Sequence, residues 1–136
     1  MQKRNSDMEQ SKELTRAEEE VMQVLWKIEK GFVKDILDEF PEPKPAYNTV
    51  STIVRILEKK GFVDHNAYGK THEYYALVTK DNYSKSYVKT FVKGYFSNSF
   101  KQMVSFFAKE ENLSIAEMEE IVKTMQKEID KQKGGQ

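Results

Sequence analysis

Apolar residues return along the first part of the chain with the spacing of helices. Leu14, Ala17, Val21, Leu25 and Ile28 share one face, with Met22 and Trp26 beside them. Thr15-Arg16-Ala17-Glu18 reads as a capping box, in which the Thr hydroxyl accepts from a free amide and Glu18 reaches back. These features predict a first helix over about 15–28, closed by Gly31. Val33, Ile36, Leu37 and Phe40 then repeat as i, i+3, i+4, i+7, a short second helix stopped by Pro41. Pro41-Glu42-Pro43-Lys44-Pro45 makes a stiff turn that cannot continue a helix. Beyond it Val50, Ile53, Val54 and Leu57 predict a third helix over about 46–60. Gly61 follows where a left-handed cap is wanted.

The period then changes. Phe62-Val63-Asp64-His65 reads as a short strand, Asn66-Ala67-Tyr68-Gly69 as a turn, and Thr71 to Val78 as a returning strand. Helix, helix, helix, hairpin is the element order of a winged helix-turn-helix. The remainder is helical. Tyr83, Tyr87, Val88, Phe91, Val92, Tyr95 and Phe96 mark one stripe, continued after Asn98 by Phe100, Met103, Val104 and Phe107. Ser114-Ile115-Ala116-Glu117 is a second capping box, followed by Met118, Ile121, Val122, Met125 and Ile129. The expected fold class is mainly α with a small β-hairpin. The expected organisation is a disordered tail at 1–13, a winged-helix domain at 14–80, a helical dimerisation domain at 81–131 and a disordered tail at 132–136.

Composition narrows the function classes. There is no cysteine, so there is no disulfide framework, thiolate metal site or cysteine nucleophile. No apolar run approaches the roughly 20 residues of a membrane helix. The first residues have no apolar core of a secretory signal. Membrane insertion is therefore not expected, and a cytoplasmic location is. Net charge is zero, but it is unevenly spread. Residues 1–43 hold 7 basic and 11 acidic side chains, residues 44–80 hold 6 and 3, and residues 81–136 hold 9 and 8. The positive excess coincides with the third helix and hairpin.

On a helical wheel the apolar side of the third helix lies opposite Asn48, Ser51, Thr52, Arg55 and Lys59, with Thr49 near the edge. An ordinary solvated face is one reading of that side. Solvated faces are usually built from Glu, Lys, Gln and Arg, which are good helix formers. Asn, Thr and Ser are poor ones. Their short side chains let a helix approach base edges and phosphates and hydrogen-bond there. Arg55 can pair with a guanine or hold a phosphate. At the hairpin, Tyr68, Gly69, Lys70, Thr71 and His72 form a tip where Lys70 can meet a backbone phosphate, or an exposed tip of no special role. His65 and His72 are the only histidines. With no carboxylate or cysteine evident at ligand spacing, no metal is expected, and neither are a cofactor or an enzymatic site.

Leu14 through Glu18, Leu25-Trp26, Ala46-Tyr47-Asn48-Thr49-Val50, Leu57-Glu58-Lys59-Lys60-Gly61-Phe62-Val63 and Tyr74-Tyr75 together resemble the penicillinase repressor (BlaI/MecI) family. The resemblance covers about 14–130. It implies a dimeric winged-helix transcriptional repressor that binds palindromic double-stranded operators. It also implies relief by proteolysis, after a membrane metallopeptidase sensor detects a β-lactam. On this match the base-contacting positions are Asn48, Thr49 and Thr52, with Ser51 and Arg55 as neighbours and Lys70 and Thr71 on the wing. The position of the proteolytic switch carries over to Phe106 and Phe107. Family members switched by cleavage have an Asn-Phe bond there. This chain reads Phe106-Phe107-Ala108-Lys109, so the Asn is missing. Copper-responsive relatives carry C-terminal cysteines, which are absent here.

Residues 81–131 hold more apolar rings than a lone amphipathic pair of helices can cover. Phe91, Tyr95, Phe96, Phe100, Phe106 and Phe107 predict a homodimer interface, extended by Ile121 and Met125, unless the arm folds back on the winged domain. The competing function is a protein-interaction module on the same scaffold without a DNA partner, which the zero net charge and acidic first helix would suit.

Overall fold

The computed structural model describes residues 13–110 and 113–135. Apart from Glu13, the tail expected at 1–13 lies outside the described residues, as does Gln136. The elements are α1 (Arg16–Ile28), β1 (Lys30–Gly31), α2 (Val33–Asp38), α3 (Tyr47–Lys59), β2 (Val63–Tyr68), β3 (Thr71–Ala76), α4 (Lys80–Tyr95), α5 (Phe100–Glu110) and α6 (Ile115–Gly134). The chain divides into two compact units, Met1–Val88 and Lys89–Gln136. The division falls within α4 and not after residue 80, because Tyr83 belongs to the first core.

In the first unit the capping box of α1 forms as its residues dictate. Thr15 Oγ1 accepts from the Glu18 amide at 3.2 Å, and Glu18 Oε1 accepts from the Thr15 amide at 3.0 Å. Gly31 does not close α1. The reversal is made by Glu29, with φ 75°, whose amide donates to the Leu25 carbonyl at 2.7 Å. Gly31 instead sits buried in β1. A Cβ there would come 2.9 Å from Ile28 Cδ1 and 3.0 Å from Asp35 Cβ. Its smallness serves close packing between α1 and α2.

Pro41 likewise does not stop α2 directly, since the helix ends at Asp38 and Phe40 packs half-buried beyond it. The free carbonyls at this end are met by Lys44. Its Nζ donates to Asp38 O at 3.1 Å and Phe40 O at 2.6 Å. The proline turn brings that amine back onto the helix terminus.

The hairpin is longer than its composition suggested. Pairing runs from Val63 opposite Ala76 to Tyr68 opposite Thr71. Asn66 and Ala67, expected in the turn, are strand residues, while Phe62 and Val78 lie outside the strands. The turn is Gly69-Lys70, with Gly69 at φ 66° where a side chain would be strained. A third strand was not foreseen. β1 pairs antiparallel with β3, giving the order β1-β3-β2. Two residues are too few to show a period of two.

Val21, Met22 and Leu25 of α1, Ile36 of α2, and Val50, Val54 and Leu57 of α3 close the core with Phe62, Val63, Tyr74 and Tyr83. Trp26 Nε1 donates to the Val78 carbonyl at 2.8 Å, tying α1 to the end of the hairpin. Lys60, just past α3, donates to Glu18 Oε1 at 2.7 Å. Burial disfavours a charged Glu18. The Lys60 hydrogen bond, the Thr15 amide and the Lys60 charge overcome it and hold the carboxyl below its ordinary value.

In the second unit, Ser97 and Asn98 end α4 at φ 50° and 63°, and the Asn98 amide donates to Val92 O at 3.1 Å. The rings of Phe96, Phe106 and Phe107 cluster at centroid distances of 5.5, 5.6 and 6.4 Å. Ser114 and Glu117 form the second capping box at the start of α6. α6 then runs through Gly134, so residues 132–134 are helical where a disordered tail was expected. No residue before Gly134 interrupts it. Among the described residues, no helix is long and apolar enough to cross a membrane.

Gly31→Ala is expected to destabilise the first unit by about 1–3 kcal/mol through overpacking. Urea unfolding checks this, and an unchanged midpoint would show that the contact is absorbed. Glu18→Gln tests the tie between α1 and the end of α3. Because the folded carboxyl titrates below its unfolded value, its stabilisation is present above the ordinary carboxylate range and lost as pH falls through the folded value. The variant should be about 1–2 kcal/mol less stable than wild type at pH 7. The difference should close in acid, which unfolding curves between pH 7 and pH 3 would reveal.

Candidate nucleic-acid interface

The inner face of α3 is fully committed. Val50, Val54 and Leu57 are each 0% exposed, which fixes the rotation of the helix about its axis. The outer face then carries Asn48, Thr49, Thr52 and Arg55, all exposed, with Ser51 half-buried. Among the described residues, the side chains of Asn48, Thr49 and Thr52 make no hydrogen bond. Arg55 Nη2 donates to Ser51 Oγ at 3.1 Å, which holds the guanidinium along the helix surface.

α3 also begins without local caps. Its N-cap is Ala46, no side chain bonds the first-turn amides, and no acidic residue lies in that turn. α1 and α6 both have capping boxes. The positive end of the helix dipole is therefore not offset by a local side chain.

The hairpin stands next to this face. An open cleft between α3, the start of α2 and the hairpin is lined by Lys34, Tyr47, Ser51, Arg55, Lys70 and Thr71, with Phe32, His72 and Tyr74 among its other walls. It brings together four of the sequence-predicted residues, Ser51, Arg55, Lys70 and Thr71. Asn48, Thr49 and Thr52 do not line it and project from the exposed side of α3. Thr71 Oγ1 donates to the Tyr68 carbonyl at 2.8 Å across the turn, so its hydroxyl is partly spent on the wing itself. The Tyr68 ring meets the Phe32 ring edge-on at 5.9 Å, bracing the hairpin tip against the start of α2. Burial first, and then the Glu58 charge, push the Tyr74 phenol up from its ordinary value.

Sequence reasoning missed Tyr47 and Lys34. Tyr47 is 54% exposed at the first position of α3, beside the residues that were singled out. An exposed aromatic next to Asn48 was a readable signal. Lys34 had none, because its proximity to α3 arises only when α2 packs. His65 is a correction. Its Nδ1 lies 2.6 Å from Glu58 Oε2 and 4.0 Å from Asp64 Oδ1, so carboxylates do stand at ligand distance. The turn at Gly61, with φ 88°, folds β2 back against the last turn of α3 and brings Glu58 to it.

The residues expected at a subunit interface all lie in the second unit. Tyr95 is 77% exposed, Met125 57%, Phe100 52% and Ile121 47%. Phe91 and Phe96 are half-buried against neighbouring rings, and Phe106 and Phe107 sit exposed on α5.

Comparison with known proteins agrees with this geometry. The family model described as penicillinase repressor matches residues 14–127. The chain is 31% identical over 110 residues to the methicillin resistance regulatory protein MecI of Staphylococcus aureus, covering 80% of this chain and 89% of the relative. It is 23% identical over 127 residues to the penicillinase repressor of Bacillus licheniformis, covering 93% and 99%. A penicillinase repressor of Staphylococcus aureus is 26% identical over 110 residues, covering 80% and 87%. The chain belongs to the penicillinase repressor family.

Proposed function

We propose that the protein acts as a homodimer, placing α3 of each subunit in the major groove of a palindromic operator. As a family member it is a DNA-binding transcriptional repressor and not an enzyme. The observation that carries the finer reading is the outer face of α3. Asn48, Thr49 and Thr52 are short, polar, exposed and unpaired among the described residues, beside the exposed cation Arg55. Such side chains add little to helix stability but match the donors and acceptors of base edges. Asn48, Thr49 and Thr52 are the base readers in this arrangement. Ser51 and Arg55 stand at their flank, and Lys70 and Thr71 hold the backbone beside the wing.

The second unit supports the dimer. Tyr95, Phe100, Ile121 and Met125 would leave a large apolar surface on a monomer, and a two-fold partner is the occupant that suits a palindrome. The partner's α3 would lie about 34 Å away, or a multiple of that, one turn of DNA or more. Release from the operator is assigned to cutting of this arm near Phe106 and Phe107 by a membrane metallopeptidase sensor. The bond lies inside α5, so a helical turn must open first. The peptidase must also accept Phe where cleaved relatives carry Asn. We place the protein in the cytoplasm, where operator DNA is found.

Thr52→Ala and Asn48→Ala should each weaken operator binding by about 5- to 100-fold, while leaving non-specific binding intact, as lost base contacts do. Lys70→Ala should weaken all sequences alike and lower the salt dependence by about one counterion. Fluorescence anisotropy across a salt series reads both effects. If the α3 variants shift operator DNA like wild type, that face is not the reader; if wild type shows no salt-dependent binding, the scaffold serves protein partners instead. Sedimentation equilibrium at tens of micromolar should show a dimer that Met125→Glu dissociates. A monomeric wild type would remove the palindrome argument.

A further inference from the structure

Glu58, Asp64 and His65 lie outside both the core and the cleft, and no step of DNA reading uses them. Their ligand atoms all fall within 4.8 Å of one another. His65 Nδ1 is 2.6 Å from Glu58 Oε2 and 4.0 Å from Asp64 Oδ1. We infer that these three side chains form a site for a divalent transition-metal ion such as Zn²⁺, clamping the last turn of α3 to the first residues of the wing.

The donor set suits such an ion. Imidazole is a borderline donor and carboxylate a hard one, Zn²⁺ accepts both, and three protein ligands leave a fourth position for water. In a tetrahedral site with bonds of about 2.0–2.2 Å, neighbouring donors stand roughly 3.3 Å apart. The two separations at His65, 2.6 and 4.0 Å, bracket that value.

The ligands are also held in place. His65 stacks on His72 with ring centroids 3.9 Å apart and planes 8° from parallel, and Tyr74 lies 5.6 Å from it. Asp64 Oδ1 accepts from the His65 amide at 2.8 Å, which fixes that carboxylate. Contacts of this kind orient metal ligands. His65 and Glu58 are each about three-quarters withdrawn from solvent, with side chains 25% and 29% exposed, while Asp64, at 52%, leaves an entry path. His65 Nδ1 faces Glu58 Oε2 at 2.6 Å, and a metal taking that nitrogen must displace this contact. The neutral ring then carries its one proton on Nε2, so binding exchanges a hydrogen bond for a metal bond.

The test uses the full chain, freed of metals by chelator dialysis, and Zn²⁺ alone in isothermal titration calorimetry. Saturable binding of one ion per chain is expected near pH 7.5. His65→Ala and Glu58→Gln should each weaken it at least tenfold. Asp64→Asn, at an exposed position, is the variant least able to disturb folding, and it should weaken binding in the same direction. Circular dichroism melts confirm that each variant is folded. No saturable binding by wild type, or binding that survives in all three variants, overturns the site. Loss of operator affinity in the His65 variant with no zinc binding by wild type also overturns it, leaving the pair as a hydrogen bond only. The readout needs no DNA, so it stands or fails apart from the operator reading.

Discussion

Val50, Val54 and Leu57 pack into the space between α1 and α2, and that fit governs what the first unit can do. Each side chain is fully buried, a contribution of about 1.5–3 kcal/mol apiece. More important than the sum is its direction. A helix with three buried residues on one side cannot rotate without exposing them. The opposite side is therefore presented outward at a fixed angle, and Asn48, Thr49, Thr52 and Arg55 occupy it. Recognition by a rigid helix needs this, because a rotation of one residue would put Ile53 and Ile56 in the places of Thr52 and Arg55.

Three polar ties then hold the neighbours of α3. Lys60 reaches Glu18 at the start of α1, Trp26 reaches the carbonyl of Val78, and His65 reaches Glu58. The first two fasten the core helices to the ends of α3 and the hairpin. The third links the wing strand directly to the helix it flanks. In each case a long or planar side chain spans elements that apolar packing has already brought near. The ties specify orientation more than they supply stability, since each partner loses water to form them. The second unit is built in the opposite way. Its polar contacts are mostly local, such as Ser114 with Glu117, and the rings of Tyr95, Phe100, Phe106 and Phe107 remain exposed.

Much of this was legible in the residues. The 3.6-residue spacing of α1 and α3 reports a buried face, and burial is the strongest force acting on those segments. The capping boxes at Thr15 and Ser114 were equally readable, because both partners lie within four residues of each other. Misreadings occurred where a residue had two possible uses. Gly31 was read as a helix stop, but its value is space beside Ile28 and Asp35. Asn66 and Ala67 favour turns by composition, yet they pair with Glu73 and His72 because Gly69 offers the tighter reversal. Pro41 was credited with ending α2, a role that Lys44 shares through the carbonyls it covers.

The sequence by itself determined the helices, the hairpin, the polar face of α3 and the apolar excess of the arm. Each is a pattern within a short window, set by periodicity and local hydrogen bonding. Only the tertiary structure decided which distant residues share a site. Lys34 joins Arg55 and Lys70 at one cleft, β1 adds a strand to β3, and Glu58 meets His65 and Asp64 across the turn at Gly61. These meetings depend on how the core closes. Core closure is a property of all the buried side chains together, and no single stretch of chain records it.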